Sequence, residues 1–166
     1  MSPARRVWLA GLAAGSLPLL LGACGFQLRR SPPMPFARVA LTGFAPRSPL
    51  ERELRQALAE QVQVIGTAAQ ADVVLRALAD TVQKTVVAST TASQVREVQL
   101  RVRLQFRIQT GGGRELAPDA ELLLVRDLSY NETQALAKEQ EEAQIVRDMR
   151  SDIVAQVLRR LSAVTL

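Results

Sequence analysis

Val98 to Gln109 read VQLRVRLQFRIQ. Val98, Leu100, Val102, Leu104, Phe106 and Ile108 hold the even positions, and Gln99, Arg101, Arg103, Gln105, Arg107 and Gln109 hold the odd ones. Successive side chains of an extended chain point to opposite faces, so this spacing predicts a strand with one dry face and one polar, basic face. The dry face needs a layer laid over it.

Gly111-Gly112-Gly113 follow as a flexible turn, and Ala120 to Tyr130 read as the partner strand of a hairpin. Leu122, Leu124, Leu128 and Tyr130 fall on one side of that partner, with Leu123 and Val125 opposite. Upstream, DVVLRALADTVQKTVV at 72 to 87 is rich in β-branched residues but alternates imperfectly. It predicts a long strand bent or bulged near Asp80, followed by a polar turn at Ser89 to Ser93. A short strand is expected at Arg38 to Leu41, closed by Thr42-Gly43.

Two helices complete the set. Ser48 can cap the first, Pro49 sits where its missing N–H costs nothing, and Glu51 completes a capping box. Leu50, Leu54, Ala57, Leu58 and Val62 share a face, and the helix should end near Gln61. Val64, Ile65 and Gly66 then bring the chain back towards the sheet. Asn131 can cap the last helix, with Gln134 at the third position. Ile145, Met149, Ile153, Val157 and Leu161 form its stripe, widened by Val146 and Val154, and Arg159 and Arg160 favour its C-terminal dipole. The order β-α-β-β-β-α predicts an α+β two-layer sandwich: a four-stranded mixed sheet with both helices on one face, its first strand–helix–strand unit a right-handed crossover.

Composition narrows the partners. Formal charge is +5, although Arg5 and Arg6 lie in a segment read below as removed. Aromatics are few, which weighs against stacking on nucleic-acid bases. There is no histidine and only one cysteine, so a histidine base, an internal disulfide and a thiolate zinc site are excluded. Residues 1–23 have the layout of a secretory signal: Arg5-Arg6, then an uncharged apolar run, then Gly22-Ala23 before Cys24. The apolar run is shorter than the ~20 residues needed to span a bilayer. Leu21-Gly22-Ala23-Cys24 resembles the bacterial lipobox, in which the cysteine thiol is lipidated and becomes the new N-terminus. Each buried methylene adds ~0.8 kcal/mol, so several acyl chains anchor durably. The alternative is a plain signal with an incidental cysteine. Gly25, where an Asp would suggest inner-membrane retention, favours the outer membrane. Residues 24–35, with Pro32, Pro33 and Pro35, read as anchor and extended spacer, and 36–166 as one domain.

Candidate chemistry is sparse. Arg101, Arg103 and Arg107 share a strand face with a reach suited to several phosphates or carboxylates; the same pattern also describes a solvated face of a two-layer protein. Lys138, amid Glu139, Glu141 and Glu142, is either an anion contact or surface filler. Ser89, Thr90, Thr91 and Ser93 offer hydroxyls, but no histidine can activate them and nothing local pairs them with Lys84. Gly111 to Gly113 lack the Lys-Ser/Thr of a phosphate-binding loop. No metal, cofactor or catalytic constellation is expected.

Cys24-Gly25-Phe26-Gln27-Leu28-Arg29 resembles the start of mature LptE-family proteins. The tract ALAKEQEEAQIVRDM at 135 to 149 is similar to the opening of that family's last helix, and Arg126-Asp127-Leu128-Ser129-Tyr130 also fits. The resemblance implies a two-helix, four-stranded sandwich that plugs the outer-membrane β-barrel LptD, assists its assembly and helps deliver lipopolysaccharide to the outer leaflet. Lipid A phosphates would then be ligands. Lys138 matches the lysine of the family's Ala-Leu-Ala-Lys tract, and the turn near Thr91 would approach ligand, although it carries no base here. The runner-up is a non-catalytic lipoprotein adaptor that stabilises another envelope complex without touching lipopolysaccharide.

Overall fold

The computed structural model describes residues 33–89, 95–129 and 135–166. The signal, Cys24, Thr91, Tyr130 and the Asn131 and Gln134 cap therefore lie outside the described residues.

The element order is β1 (Arg38–Thr42), α1 (Pro49–Ala59), β2 (Gln63–Ile65), β3 (Val73–Ser89), β4 (Val95–Gln109), β5 (Glu115–Ser129) and α2 (Ala135–Ser162). The sheet is mixed and five-stranded, in the order β2-β1-β3-β4-β5, which corrects the expected four strands. The extra strand is β2, the segment read as leading back to the sheet. At three residues it is too short to show a period, yet it pairs in parallel with β1 from Arg38↔Gln63 to Ala40↔Ile65.

Helix α1 starts at the expected Ser48 cap and Pro49, but the capping box is only half made: Ser48 N–H donates to the Ala45 carbonyl and the Glu51 side chain accepts from Arg55 instead. Ser48 Oγ accepts the Glu51 N–H at 3.1 Å, Pro49 takes the first turn, and Leu50, Leu54 and Leu58 are buried. The helix stops at Ala59, short of Gln61, because the N–H groups of Gln61 and Val62 both turn back to the Leu58 carbonyl.

Strand β1 lies parallel to β3 only from Val39↔Val73 to Thr42↔Arg76. Asp72 ties the two starts together: it accepts from the backbone N–H of Ala37 and Arg38 and from the Arg38 guanidinium at 2.7 Å. The Arg38 hydrogen bond is the main cause holding the Asp72 carboxyl below its ordinary value. Gly43 ends the pairing. Its φ is 77°, and a Cβ there would sit 2.2 Å from the Ala77 carbonyl oxygen, so only glycine can pass β3 this closely.

Strands β3, β4 and β5 form a long antiparallel ribbon. The irregularity foreseen near Asp80 is a bulge between Ala77 and Ala79. Every even position of β4 from Val98 to Ile108 is buried. The turn after β4 is tight, closed by Thr110 and Arg114 and by Gly113 N–H donating to the Thr110 carbonyl. Strand β5 consequently begins at Glu115 rather than Ala120. Pro118 lies inside it, in the register shift between Ile108↔Ala117 and Phe106↔Ala120, on an edge strand where a missing N–H is tolerated.

Helix α2 runs 28 residues, about 42 Å at helical rise. Met149, Ile153, Val157 and Leu161 are fully buried against the sheet with α1's leucines. The stripe fades towards the N-terminal turns, where Leu136 is exposed. The main core thus lies on the helix face of the sheet. On the other face, Ala40, Ala71 and Val74 make a small second cluster with Ile65 and Ala68.

Candidate functional site

The odd positions of β4 face away from the helices, as the alternation requires, but they do not form a free basic surface. Register brings carboxylates of β5 against them: Gln105 lies opposite Glu121 and Gln99 opposite Asp127. Arg107 makes two parallel hydrogen bonds to Asp119, at 2.7 and 2.8 Å, with Glu115 at 3.3 Å. Arg103 Nη2 donates to Glu121 Oε2 at 3.2 Å, and Gln105 donates to the same oxygen at 2.6 Å. Gln99 donates to Asp127 at 2.9 Å and accepts from Arg101 Nε at 2.7 Å.

Electrostatics follow from this ladder. The Arg107 hydrogen bond holds the Asp119 carboxyl below its ordinary value, and Asp119 in turn raises the Arg107 guanidinium. Hydrogen bonds from Gln105, then Arg103, lower Glu121. An anion approaching Arg103 or Arg107 would have to displace a carboxylate. Arg101 is exposed and, among the described residues, its side chain bonds only to Gln99.

Lys138 sits elsewhere. Its side chain is 17% exposed, and Nζ meets Glu141 at 2.8 Å. One turn further along α2, Glu142 meets Lys84 of β3 at 2.5 Å. Residues 138 and 142 share a helix face, so Lys138 is on the side of α2 that addresses the sheet. Lys84, Leu100 and Arg126 form one row across β3, β4 and β5 on the helix-facing side. Among the described residues, Arg126 donates only to the neighbouring Val125 carbonyl, at 3.1 Å. Lys84 and Arg126 therefore lie on the sheet face opposite Arg101, Arg103 and Arg107, and Lys138 lies one helical turn from the Glu142 that Lys84 meets. Arg126 was missed in the sequence, yet a signal exists: it interrupts the apolar series Leu122, Leu124, Leu128 at a position due to face the helices.

Among the described residues, the outer backbone edge of far β3 is also unpaired. Beyond Arg76, β3 has no β1 partner, and among the described residues no backbone bond outside the β4 ladder reaches Leu78–Ser89. Leu78, Val82, Val86 and Val87 are 46%, 44%, 52% and 47% exposed. A long apolar strand edge of this kind invites pairing with another strand. Among the described residues no three histidine, cysteine, aspartate or glutamate side chains gather to hold a metal, and no helix is long and apolar enough to cross a membrane.

Solved structures share this architecture. The chain is similar to an uncharacterized lipoprotein B from Nitrosomonas europaea, at 30% identity over 84% of this chain and 91% of that one, with a TM-score of 0.71. It is similar to a minor lipoprotein from Acinetobacter baumannii at 26% identity, over 79% of this chain and 94% of that one, TM-score 0.64. A rare lipoprotein B from Shewanella oneidensis, 23% identical over 76% of this chain and 94% of that one, has the same fold with a TM-score of 0.63. No curated protein sequence matches. A family model described as lipopolysaccharide-assembly covers residues 36–161, from just before β1 to the last turn of α2, and so defines the class: a lipopolysaccharide-assembly domain with one sheet face buried and the other ion-paired. The chain belongs to the LptE family.

Proposed function

We propose that the chain is a non-catalytic, lipid-anchored subunit of the lipopolysaccharide-assembly machinery of the outer membrane. Acylation at Cys24 tethers it. The domain sits as a plug within the β-barrel LptD, supports that barrel's assembly, and contacts lipid A phosphates during delivery to the outer leaflet. Membership of the LptE family carries this reading. The Leu21-Gly22-Ala23-Cys24 tetrad supports the anchor, and the bare edge of β3 supports docking against a β-rich partner.

Arg126, with no carboxylate partner among the described residues, is the phosphate contact this geometry favours, joined by Lys138 and Lys84, which would each give up a bond to Glu141 or Glu142. Arg101 adds an exposed cation on the opposite face. Arg103 and Arg107, already held by Glu121 and Asp119, serve docking before ligand binding. Thr91 offers a hydroxyl alone. The ion-paired face favours one further reading, an adaptor that docks without touching lipopolysaccharide.

Extraction of native membranes in mild detergent, with an affinity tag on this chain, is expected to recover a large β-barrel; recovery of a lone monomer would refute the docking. Lys138→Glu with Arg126→Glu is expected to weaken lipopolysaccharide binding at least about tenfold without unfolding the domain. Full affinity in that variant leaves the adaptor reading standing.

A further inference from the structure

A cavity of about 500 Å³ opens at the other end of α2 from Lys138, between the helix C-terminus and the start of the β4–β5 hairpin. Lys138 and Arg160 are about 33 Å apart along the helix at helical rise, so the two places are separate. The cavity has a local cause. Pro118 shifts the register of β5, and the flanking Ala117 and Ala120 are too small to fill the space under the helix end. Beyond α2 the chain turns, Ala163 N–H donating to the Arg160 carbonyl, and Val164 folds back as a wall.

Its walls are mainly apolar, from Leu116, Ala117, Ala120 and Val164, over a floor of the buried Phe106 and Ile108, and its volume is that of a small-molecule site. One free cation stands over it. The Arg160 guanidinium lies 5.8 Å from the centroid of the Phe106 ring and, among the described residues, makes no hydrogen bond or ion pair. Asp119, the acidic residue on the lining, is already bound in two hydrogen bonds by Arg107. A guanidinium stacked on a ring keeps its edge donors available, and that planar fork suits a carboxylate or phosphate.

We infer that this cavity binds a single-chain anionic amphiphile, its apolar tail on Leu116, Ala117 and Val164 above the buried Phe106 ring, and its carboxylate or phosphate head on Arg160. The inference does not depend on the phosphate contacts at the far end. Arg160 also suits the helix dipole, a role that needs no ligand; the test separates the two.

The test uses the full chain in lipid nanodiscs with ten-carbon probes carrying a photoreactive diazirine in the tail: decanoate, decyl phosphate and the neutral alcohol. Crosslinks are mapped by mass spectrometry. Labelling by the two anionic probes is expected at 106–120 and 160–165, competed by unlabelled decanoate. The stronger of the two identifies the head group. Arg160→Gln should lower anionic labelling about tenfold and leave the alcohol unchanged. Arg160→Lys should restore part of it, and Ala120→Leu should remove all three signals. Equal labelling by neutral and anionic probes, labelling spread over the chain, or anionic labelling indifferent to Arg160→Gln each overturn the proposal. Lys138→Glu should leave these crosslinks intact even where it weakens lipopolysaccharide binding.

Discussion

The near and far halves of β3 are one strand in two environments. Val73, Val74, Leu75 and Ala77 are buried, whereas Thr81–Val87 are exposed throughout. The near half has β1 on its edge, helices over one face and the small Ala40–Ala71–Val74 cluster on the other. The far half has β4 on one side and nothing among the described residues on the other. The boundary is set by Gly43, where β1 turns away. Composition does not separate the halves, since both are rich in valine. What separates them is how many neighbours the topology supplies. The near half holds the fold together; the far half keeps, among the described residues, β4 alone beside it.

The sharpest test of that division compares core and edge. Phe106→Ala should cost about 3–5 kcal/mol, measured by denaturant unfolding, because it removes a fully buried ring from between the sheet and α2. Val82→Lys with Val86→Lys should change stability by less than about 0.5 kcal/mol per site while reducing recovery of the β-barrel partner. A large loss of stability from the valine pair would erase the distinction. Next in size, Gly43→Ala should destabilise by about 1–3 kcal/mol from its positive φ alone, and more if the Ala77 carbonyl cannot move. Chemical shifts on β1 and β3 should change before those on β5. Ser48→Ala removes both the α1 cap and a 2.5 Å hydrogen bond from its Oγ to Asp80, at a cost of about 0.5–2 kcal/mol by thermal unfolding.

The smallest effect concerns acid. Asp72, Asp119 and Glu121 all have carboxyls lowered in the folded state, by Arg38, by Arg107, and by Gln105 with Arg103. The unfolded chain therefore takes up protons more readily. Their contribution is complete above the ordinary carboxylate range and is lost below about pH 4 as the folded groups titrate. Asp119 and Glu121 are exposed and Asp72 is only partly buried, so the loss is modest. Asp119→Asn should make stability fall less steeply between pH 7 and pH 3, read from urea midpoints. An unchanged slope would show that the ladder contributes nothing to stability.

How much of this was legible depended on whether each residue had one environment. Strand β4 is central, with one face dry from end to end, so its alternation is complete. Helix α1 announced itself through Ser48, Pro49 and its leucines. β3 was blurred because its two halves obey different rules and a bulge lies between them. β2 was read only as a return towards the sheet, not as a strand, since three residues carry no period. The site was harder. Arg103 and Arg107 looked free because β5 was expected to begin at Ala120. Starting at Glu115 and shifting register at Pro118, it brings Glu115, Asp119 and Glu121 against them. Lys138 stood out only through the family resemblance, since a lysine among glutamates on a helix is ordinary.

The early stop of β1 has a consequence for supply. Among the described residues, half of a long strand lacks its second row of hydrogen bonds; if the proposed partner fills that gap, surplus copies have mainly one another to stick to. Synthesis of this chain must keep step with synthesis of whatever completes it. Overproduced alone it should clump or be degraded, and raising its partner to equal dosage should rescue it.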